Sequence, residues 1–331
     1  MKAFAFARPA SFAEAGELLA DRRYSLPVLK AGGMDVVDHM KEGLLEPDLL
    51  IDIRATGVRP AGISRTDDGG LRIGAMTTLA EIAASPIVRA TAPVVADAAG
   101  SAATPQVRNV ATAAGNLLQR PRCWYYRNEQ FHCLKKGGHT CYAVEGENKF
   151  HAIFGGGPCH IVHPSNLAPA LAVCGGRVHL TGGDRPSLSI DDLYHAPAQG
   201  VWSEHELEKN EIITHITIGP ASRSGFYAVK EKQSFDWPLV MASVMLRTQG
   251  SSITAARVSA GAVAPIPWRL PAVEAALAGV RVDDDAGLRK ACAGAADGAN
   301  PLSDNAYKAS LLPVAVRRAV LRATGRDEKE A

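Results

Sequence analysis

Apolar and polar positions divide this 331-residue chain into three differently patterned stretches. Over the first 55 residues, helical and strand periods alternate, which predicts a small αβ unit. SFAEAGELLADR opens with Ser11 as an N-cap, puts Glu14 at the third helical position and sets Leu18 and Leu19 on one face, predicting a helix over 11–22. An apolar run over 26–29 meets Gly32 and Gly33, a helical stretch follows over 34–41, and PDLLIDIR (47–54) reads as the returning strand. The second stretch, about 71–220, has a strand (GLRIGAM), a helix start at Thr77 or Thr78 and the apolar helix PVVADAAGSAA, followed by QVRNVATAAGNLLQRPRC. Residues 123–162 break every periodicity; with His163 they hold six glycines, five of the ten histidines and four cysteines. An irregular segment that long inside a compact domain is functional or disordered. HPSNLAPALAVCGGRVHL restores the pattern as a helix and a strand. In the third stretch, from about Gly225, FYAVKEK, PLVMASVMLRT and ITAARVSAGAV alternate like antiparallel strands, with QGSS as a turn. Helices are expected over 271–278, 285–296 and 305–323, and a frayed tail, GRDEKEA.

Charge narrows the function. Lys and Arg total 36 against 34 acidic residues, a net charge of +2, which argues against affinity built on phosphate neutralisation along a nucleic acid. No run approaches the roughly 18 apolar residues of a membrane helix. MKAFAFARPASFAEAG has no long apolar segment and no small-residue cleavage site, so no export signal of the chain's own is expected, and with it no disulfide framework for the six cysteines.

Three constellations could carry chemistry. Ala31-Gly32-Gly33-Met34-Asp35 lies between a strand and a helix, where glycines let backbone approach a ligand and free N–H groups suit a pyrophosphate; the plainer reading is a tight βα turn. Thr112-Ala113-Ala114-Gly115-Asn116 offers a hydroxyl and an amide on a small turn. No G-x-G-x-x-G is present at the first turn, so a standard dinucleotide fingerprint is not supported. The third is Cys123, Cys133, Cys141 and Cys159, spaced C-x9-C-x7-C-x17-C. Four thiolates can hold zinc or an iron–sulfur cluster. The spacing lacks a short zinc knuckle, but His132, His139, His151, His160 and His163 nearby keep zinc open, as are four unrelated thiols. Lys230, in a presumed strand, reads as a solvated edge lysine, and Arg108, Arg120, Arg122 and Arg127 as a solvated or partner-facing surface. No Ser–His–Asp or paired-carboxylate arrangement is recognisable.

LKAGGMDVVDHMK, RIGAMTTLAEI, QVRNVATAAGNLLQ, HPSNLAPALAV and SAGAVAPIPWRL occur in that order. Together they resemble the FAD-binding medium subunit of the molybdenum hydroxylases, the xanthine dehydrogenase and carbon monoxide dehydrogenase group, over about residues 1–323. In most relatives the equivalent of Gln119 runs almost directly into that of His163; here about forty residues intervene and carry the four clustered cysteines. That insertion resembles the subgroup whose flavin subunit also binds a [4Fe–4S] cluster, above all the periplasmic aldehyde oxidoreductase, and more distantly 4-hydroxybenzoyl-CoA reductase. The resemblance implies an α+β fold: a two-part FAD-binding domain of PCMH type over 1–222, divided near residue 55 and holding a cluster-binding insertion at 120–162, then an antiparallel sheet with helices over 223–326.

It also implies residue roles. Val28, Leu29, Lys30, Ala31, Gly32, Gly33, Met34, Asp35 and Val36 would wrap the FAD pyrophosphate, and Thr112, Gly115 and Asn116 would form a second FAD turn. Ser165 and Asn166 would sit near the ribityl or flavin portion, Ile213 and Lys230 would contact the flavin, and Cys123, Cys133, Cys141 and Cys159 would ligate the cluster. The family usually has Asp where this chain has Asn166 and Thr where it has Met34; Asn loses a charge and gains donors. The chain would be an electron-transfer subunit without substrate chemistry of its own. A large molybdenum-cofactor subunit would oxidise an aldehyde or aromatic heterocycle, a small subunit with two [2Fe–2S] clusters would pass electrons on, and FAD would deliver them to an external acceptor. The competing readings are a CoA-thioester reductase subunit and a zinc-stapled scaffold without enzymatic role. The location implied is cytoplasmic, or periplasmic by co-export with a signal-bearing partner.

Overall fold

The computed structural model describes residues 1–54 and 62–326. The expected division near residue 55 and the tail from 327 onward lie outside the described residues.

The first unit runs β1 (Ala5–Ala7), α1 (Phe12–Ala20), β2 (Pro27–Lys30), α2 (Val36–Lys41), β3 (Leu49–Asp52). Its strands form a parallel sheet in the order β1-β3-β2. The start of α1 is set locally. Ser11 Oγ accepts the Glu14 N–H at 3.1 Å while the Glu14 carboxylate accepts the Ala10 N–H at 2.6 Å, and the helix ends two residues before the expected boundary. Parallel pairing of β2 and β3 across α2 puts the Gly32–Gly33 turn at the carboxyl end of β2, where parallel sheets present ligand sites.

The second unit contains β4 (Ile63–Arg65), β5 (Leu71–Gly74), α3 (Leu79–Ala84), α4 (Pro86–Thr91), α5 (Pro93–Ser101), α6 (Pro105–Arg108), α7 (Ala113–Leu117), α8 (Trp124–Arg127), α9 (Leu167–Val173), β6 (Arg177–Thr181), β7 (Ser187–Ser189), α10 (Ile190–Leu193) and β8 (Ile212–Ile218). Its antiparallel sheet has the order β4-β5-β8-β6-β7. Of the two candidate caps for α3, Thr78 is the one used: its hydroxyl accepts the Glu81 N–H, and Glu81 answers with its carboxylate. Val94, Val95, Ala96, Ala98 and Ala99 of α5 are fully buried and join Leu171, Ile216 and Ile218 in the core, which explains the helix's almost unbroken apolar sequence.

The third unit is the expected antiparallel sheet: β9 (Ser224–Lys230), β10 (Pro238–Gln249), β11 (Ser252–Gly261) and β12 (Trp268–Arg269), in the order β12-β11-β10-β9. Gly250, at φ +59°, turns β10 into β11. Helices α11 (Pro271–Leu277), α12 (Asp285–Cys292) and α13 (Tyr307–Ala323) cover it, with Leu312, Val316, Ala319 and Val320 packed into the same core as Val240, Val244 and Val258. The expected helix over 285–296 ends instead in a 3-10 turn, Ala293–Ala296.

The insertion contains only α8 and a 3-10 turn, Leu134–Lys136, yet it is packed rather than solvated: Tyr126, Cys133, Ala143, Ile153, Cys159 and Ile161 are all buried. Buried irregular backbone must find its hydrogen bonds elsewhere, and this segment borrows them from the third unit. Asn148 and Asp304 exchange bonds, the Ile153 and His163 N–H groups donate to Val263 and Ala264, and Lys308 Nζ reaches the carbonyls of Phe150 and His151 at 3.0 Å and Ala262 at 2.7 Å.

Candidate functional site: a cleft and a cysteine pocket sharing a wall

A cleft of about 660 Å³ opens where the three units and the start of the insertion meet. Of the residues assigned to the first glycine turn, Leu29, Ala31, Gly32, Gly33, Met34, Asp35 and Val36 border it; Val28 and Lys30 lie in β2 and do not. Gly33 stands at φ +82°, a conformation glycine adopts without the steric cost other residues incur. Gly32 has a reason besides the one expected. A Cβ there would stand 2.1 Å from the Val110 carbonyl oxygen, so this glycine lets the first unit close onto the second. Lys30 instead pairs with Asp52 at 3.3 Å, and the Arg54 guanidinium beside Asp52 holds that carboxyl down at about 2 despite its burial.

The opposite wall is the second turn. Thr112 Oγ accepts the Gly115 N–H at 3.2 Å and caps α7; Thr112, Gly115 and Asn116 all border the cleft. Ser165 lies fully buried behind them, its hydroxyl donating to Asn116 Oδ1 at 2.6 Å. Asn166 borders the cleft, and its buried Nδ2 has no hydrogen-bond partner. An unmatched buried donor costs about 1–3 kcal/mol, so its position suits a polar group in the cleft. A carboxylate at that position would offer no donor. Ile213 of β8 lines the floor. Lys230 is half-buried on β9 rather than a freely solvated edge residue; burial lowers its pKa, and Nζ donates to the Ser101 carbonyl at 2.7 Å, Ser101 itself bordering the cleft. Size, mixed polarity and an unmatched donor between two glycine-containing turns fit a flavin dinucleotide.

The arginines correct the surface expectation. Arg122 and Arg127 each reach Asp35 at 2.9 Å, Arg127 also reaches Asp38 at 2.7 Å, and Arg120 pairs with buried Glu204 at 2.8 Å. Arg108 donates to the carbonyls of Ala102 and Ala103. Burial pushes the Asp35 carboxyl up, but Arg122, the Arg120 N–H and Arg127 outweigh it and hold the carboxyl below its usual range. Asp35 therefore fastens the insertion to the first unit.

The four clustered cysteines come together. Cys123, Cys133, Cys141 and Cys159 border one small enclosed cavity, with His151 and Lys135 beside them. His151 Nε2 lies 3.2 Å from Cys123 Sγ, and Cys141 is hydrogen-bonded to Cys159. Burial pushes the Cys123 thiol to about 11, while the bond between Cys141 and Cys159 lowers Cys141 and raises Cys159. Among the described residues no three His, Cys, Asp or Glu side chains converge as ligands of one metal ion. Cys174 and Cys292 stand apart in two different cores.

Sequence reasoning missed Tyr126. Its buried ring borders both the cleft and the cysteine cavity, so the two share a wall one side chain thick. It also missed Phe235 and Trp237 at the cleft's rim, where Arg122 lies 5.0 Å from the Trp237 ring. The only local signal was an aromatic pair between two predicted strands.

Comparison with known proteins agrees along the whole length. The family "FAD binding domain in molybdopterin dehydrogenase" matches residues 2–221, and "CO dehydrogenase flavoprotein C-terminal domain" matches 225–323. The chain is 35% identical over 283 residues to the aldehyde oxidoreductase FAD-binding subunit PaoB of Escherichia coli K12, covering 84% of this chain and 86% of that one. It is 26% identical to the carbon monoxide dehydrogenase medium chain of Hydrogenophaga pseudoflava over 98% of both. A solved structure of the carbon monoxide dehydrogenase from Hydrogenophaga pseudoflava superposes with a TM-score of 0.73 at 27% identity, again over 98% of both chains. The chain belongs to the FAD-binding medium subunits of the molybdenum hydroxylases, and is an oxidoreductase subunit.

Proposed function

We propose that this chain carries a [4Fe–4S] cluster as well as FAD and is the electron-transfer subunit of a molybdenum-dependent oxidoreductase of the aldehyde oxidoreductase type. The observation that carries the reading is the convergence of four cysteines, 36 positions apart from first to last, on one cavity that Tyr126 separates from the cleft. In a cubane each thiolate binds a different iron, so four sulfurs spread around a cavity suit it better than they suit one zinc ion. Similarity to an aldehyde oxidoreductase subunit supports the substrate class of the complex. The "medium" rank in relatives' names supports a large partner bearing the molybdenum cofactor and a small one bearing two [2Fe–2S] clusters.

FAD, when bound, supplies redox exchange between one-electron and two-electron partners. The chain's own residues do the holding. The Gly32–Gly33 turn and the Thr112–Asn116 turn face each other across the cleft, the Asn166 amide offers a donor, and Tyr126 keeps the cleft apart from the thiols. Cys123, Cys133, Cys141 and Cys159 would hold the cluster. Anaerobic purification with the partner subunits, then iron, acid-labile sulfide, zinc and flavin assays, tests this. About eight irons and eight sulfides beside one FAD per complex are expected, about four of each beyond those of the small partner's two [2Fe–2S] clusters; about four of each, or zinc in place of the additional irons, would overturn the cluster assignment.

A further inference from the structure

His151 is held more tightly than any other histidine of the insertion. Its N–H donates to the Asn148 carbonyl at 2.9 Å, and its own carbonyl accepts from Lys308 Nζ at 3.0 Å and Asn305 Nδ2 at 3.2 Å. Trp124 meets the ring edge-on at 5.6 Å and Tyr125 lies 6.0 Å away. The ring is 4% exposed, and its single polar contact is Nε2 to Cys123 Sγ at 3.2 Å; Nδ1 is buried without a partner. Two long-range polar side chains thus fix the backbone of one residue whose ring ends on one sulfur.

We propose that His151 is not a ligand but the hydrogen-bond donor to the Cys123 sulfur, positioned by Lys308 and Asn305, and that it sets the reduction potential of the cluster. The inference rests on the cluster reading above. A ligating thiolate has only lone pairs, so a favourable contact at 3.2 Å requires the proton on Nε2, which leaves Nδ1 as the bare nitrogen, matching its lack of a donor. Backbone N–H groups of Tyr125 and Tyr126 already face the same sulfur, and the ring adds a further donor. Donors on a ligating sulfur withdraw charge from it and favour the reduced cluster, so they raise its potential.

The test compares the wild-type complex with His151→Met and His151→Gln, purified anaerobically with the partner subunits. Gln keeps an N–H at about the position of Nε2; Met fills similar space without one. Iron content and the cluster's midpoint potential, from a potentiometric titration followed by electron paramagnetic resonance, are the readouts. The expected result is undiminished iron in all three proteins, a lower midpoint in the Met protein and a midpoint near wild type in the Gln protein. Loss of iron from the Met protein, alone or together with the Gln protein, would overturn the proposal. So would a midpoint in the Met protein equal to wild type, or an equal drop in both variants. A wild-type complex with no more iron than the small partner's two [2Fe–2S] clusters hold would instead sink the cluster reading itself.

Discussion

The glycine turn after β2 and the cysteine insertion border neighbouring cavities, but they are ordered by opposite means. The turn sits between a strand and a helix, and its own conformation is set within a few residues. Gly33 stands at φ +82° and its carbonyl accepts the Val37 N–H at 3.0 Å, long-range contact entering only where Gly32 meets Val110 and Asp35 meets the insertion. The insertion has almost no regular structure and takes its order from residues up to 158 positions away: Asp304 and Lys308 on one side, and the Asp35 carboxylate for Arg122 and Arg127 on the other. A short-range site is shaped as its elements form. A long-range site exists only once the whole molecule has folded, and it is vulnerable wherever one distant anchor is removed.

Four experiments would break or sharpen that contrast. The largest effect is expected from Cys141→Ser, which should abolish iron binding while FAD is retained. Because the bonds from 148–153 to the third unit involve no thiol, protease sensitivity should appear over 128–146 only; cleavage throughout the insertion would show that the cluster orders all of it. Lys308→Met comes next. It removes the donor to the carbonyls of Phe150 and Ala262 and leaves that of His151 to Asn305 alone, which should destabilise the chain by about 3 kcal/mol, read by denaturant unfolding, with FAD absorbance retained in the folded fraction. Gly32→Ala is expected to act on the other region, at about 2 kcal/mol, because its Cβ meets the Val110 carbonyl. Flavin should be lost before iron in that protein, and the reverse order would contradict the division.

Acid gives the smallest effect. His151 and His163 are lowered by burial from 6.5 to about 4 and about 3, so their neutral forms are favoured in the fold. The stability they contribute is full above about pH 6.5 and falls as the pH drops from there toward 4, where the unfolded chain binds the extra protons. Asp52, lowered from 3.8 to about 2, contributes stability that is lost only between about pH 4 and 2. His39 of α2 is likewise lowered by burial, so limited proteolysis should begin to cut both the insertion and α2 as the pH falls from about 6.5 to 5, before Asp52 titrates; equal resistance at about pH 7 and pH 5 would refute the assignment.

Much of this was legible in the residues. Ser11 with Glu14, Thr78 with Glu81 and the alternating runs that became β9, β10 and β11 all act through neighbours, so pattern alone exposes them. The same holds for both turns of the cleft and for the four grouped cysteines. Less was read in β8: IITHITI, closed by Gly219-Pro220, is not among the expected strands although it lies at the centre of the five-stranded sheet. Arg120, Arg122 and Arg127 looked like a solvated surface because Asp35 and Glu204, their partners, are 84 to 92 positions away.

The sequence by itself determined the unit order, the local caps and turns, the resemblance to a flavoprotein family and the identity of the thiol donors. These depend on periods and short spacings. Only the tertiary structure decided that Gly32 serves the closure of two units, that Asp35 anchors the insertion, that Tyr126 is a wall common to both cavities, and that Lys308 and His151 stand behind Cys123. Each of those is a contact between segments far apart along the chain, where a residue's role is set by which groups folding brings within bonding distance.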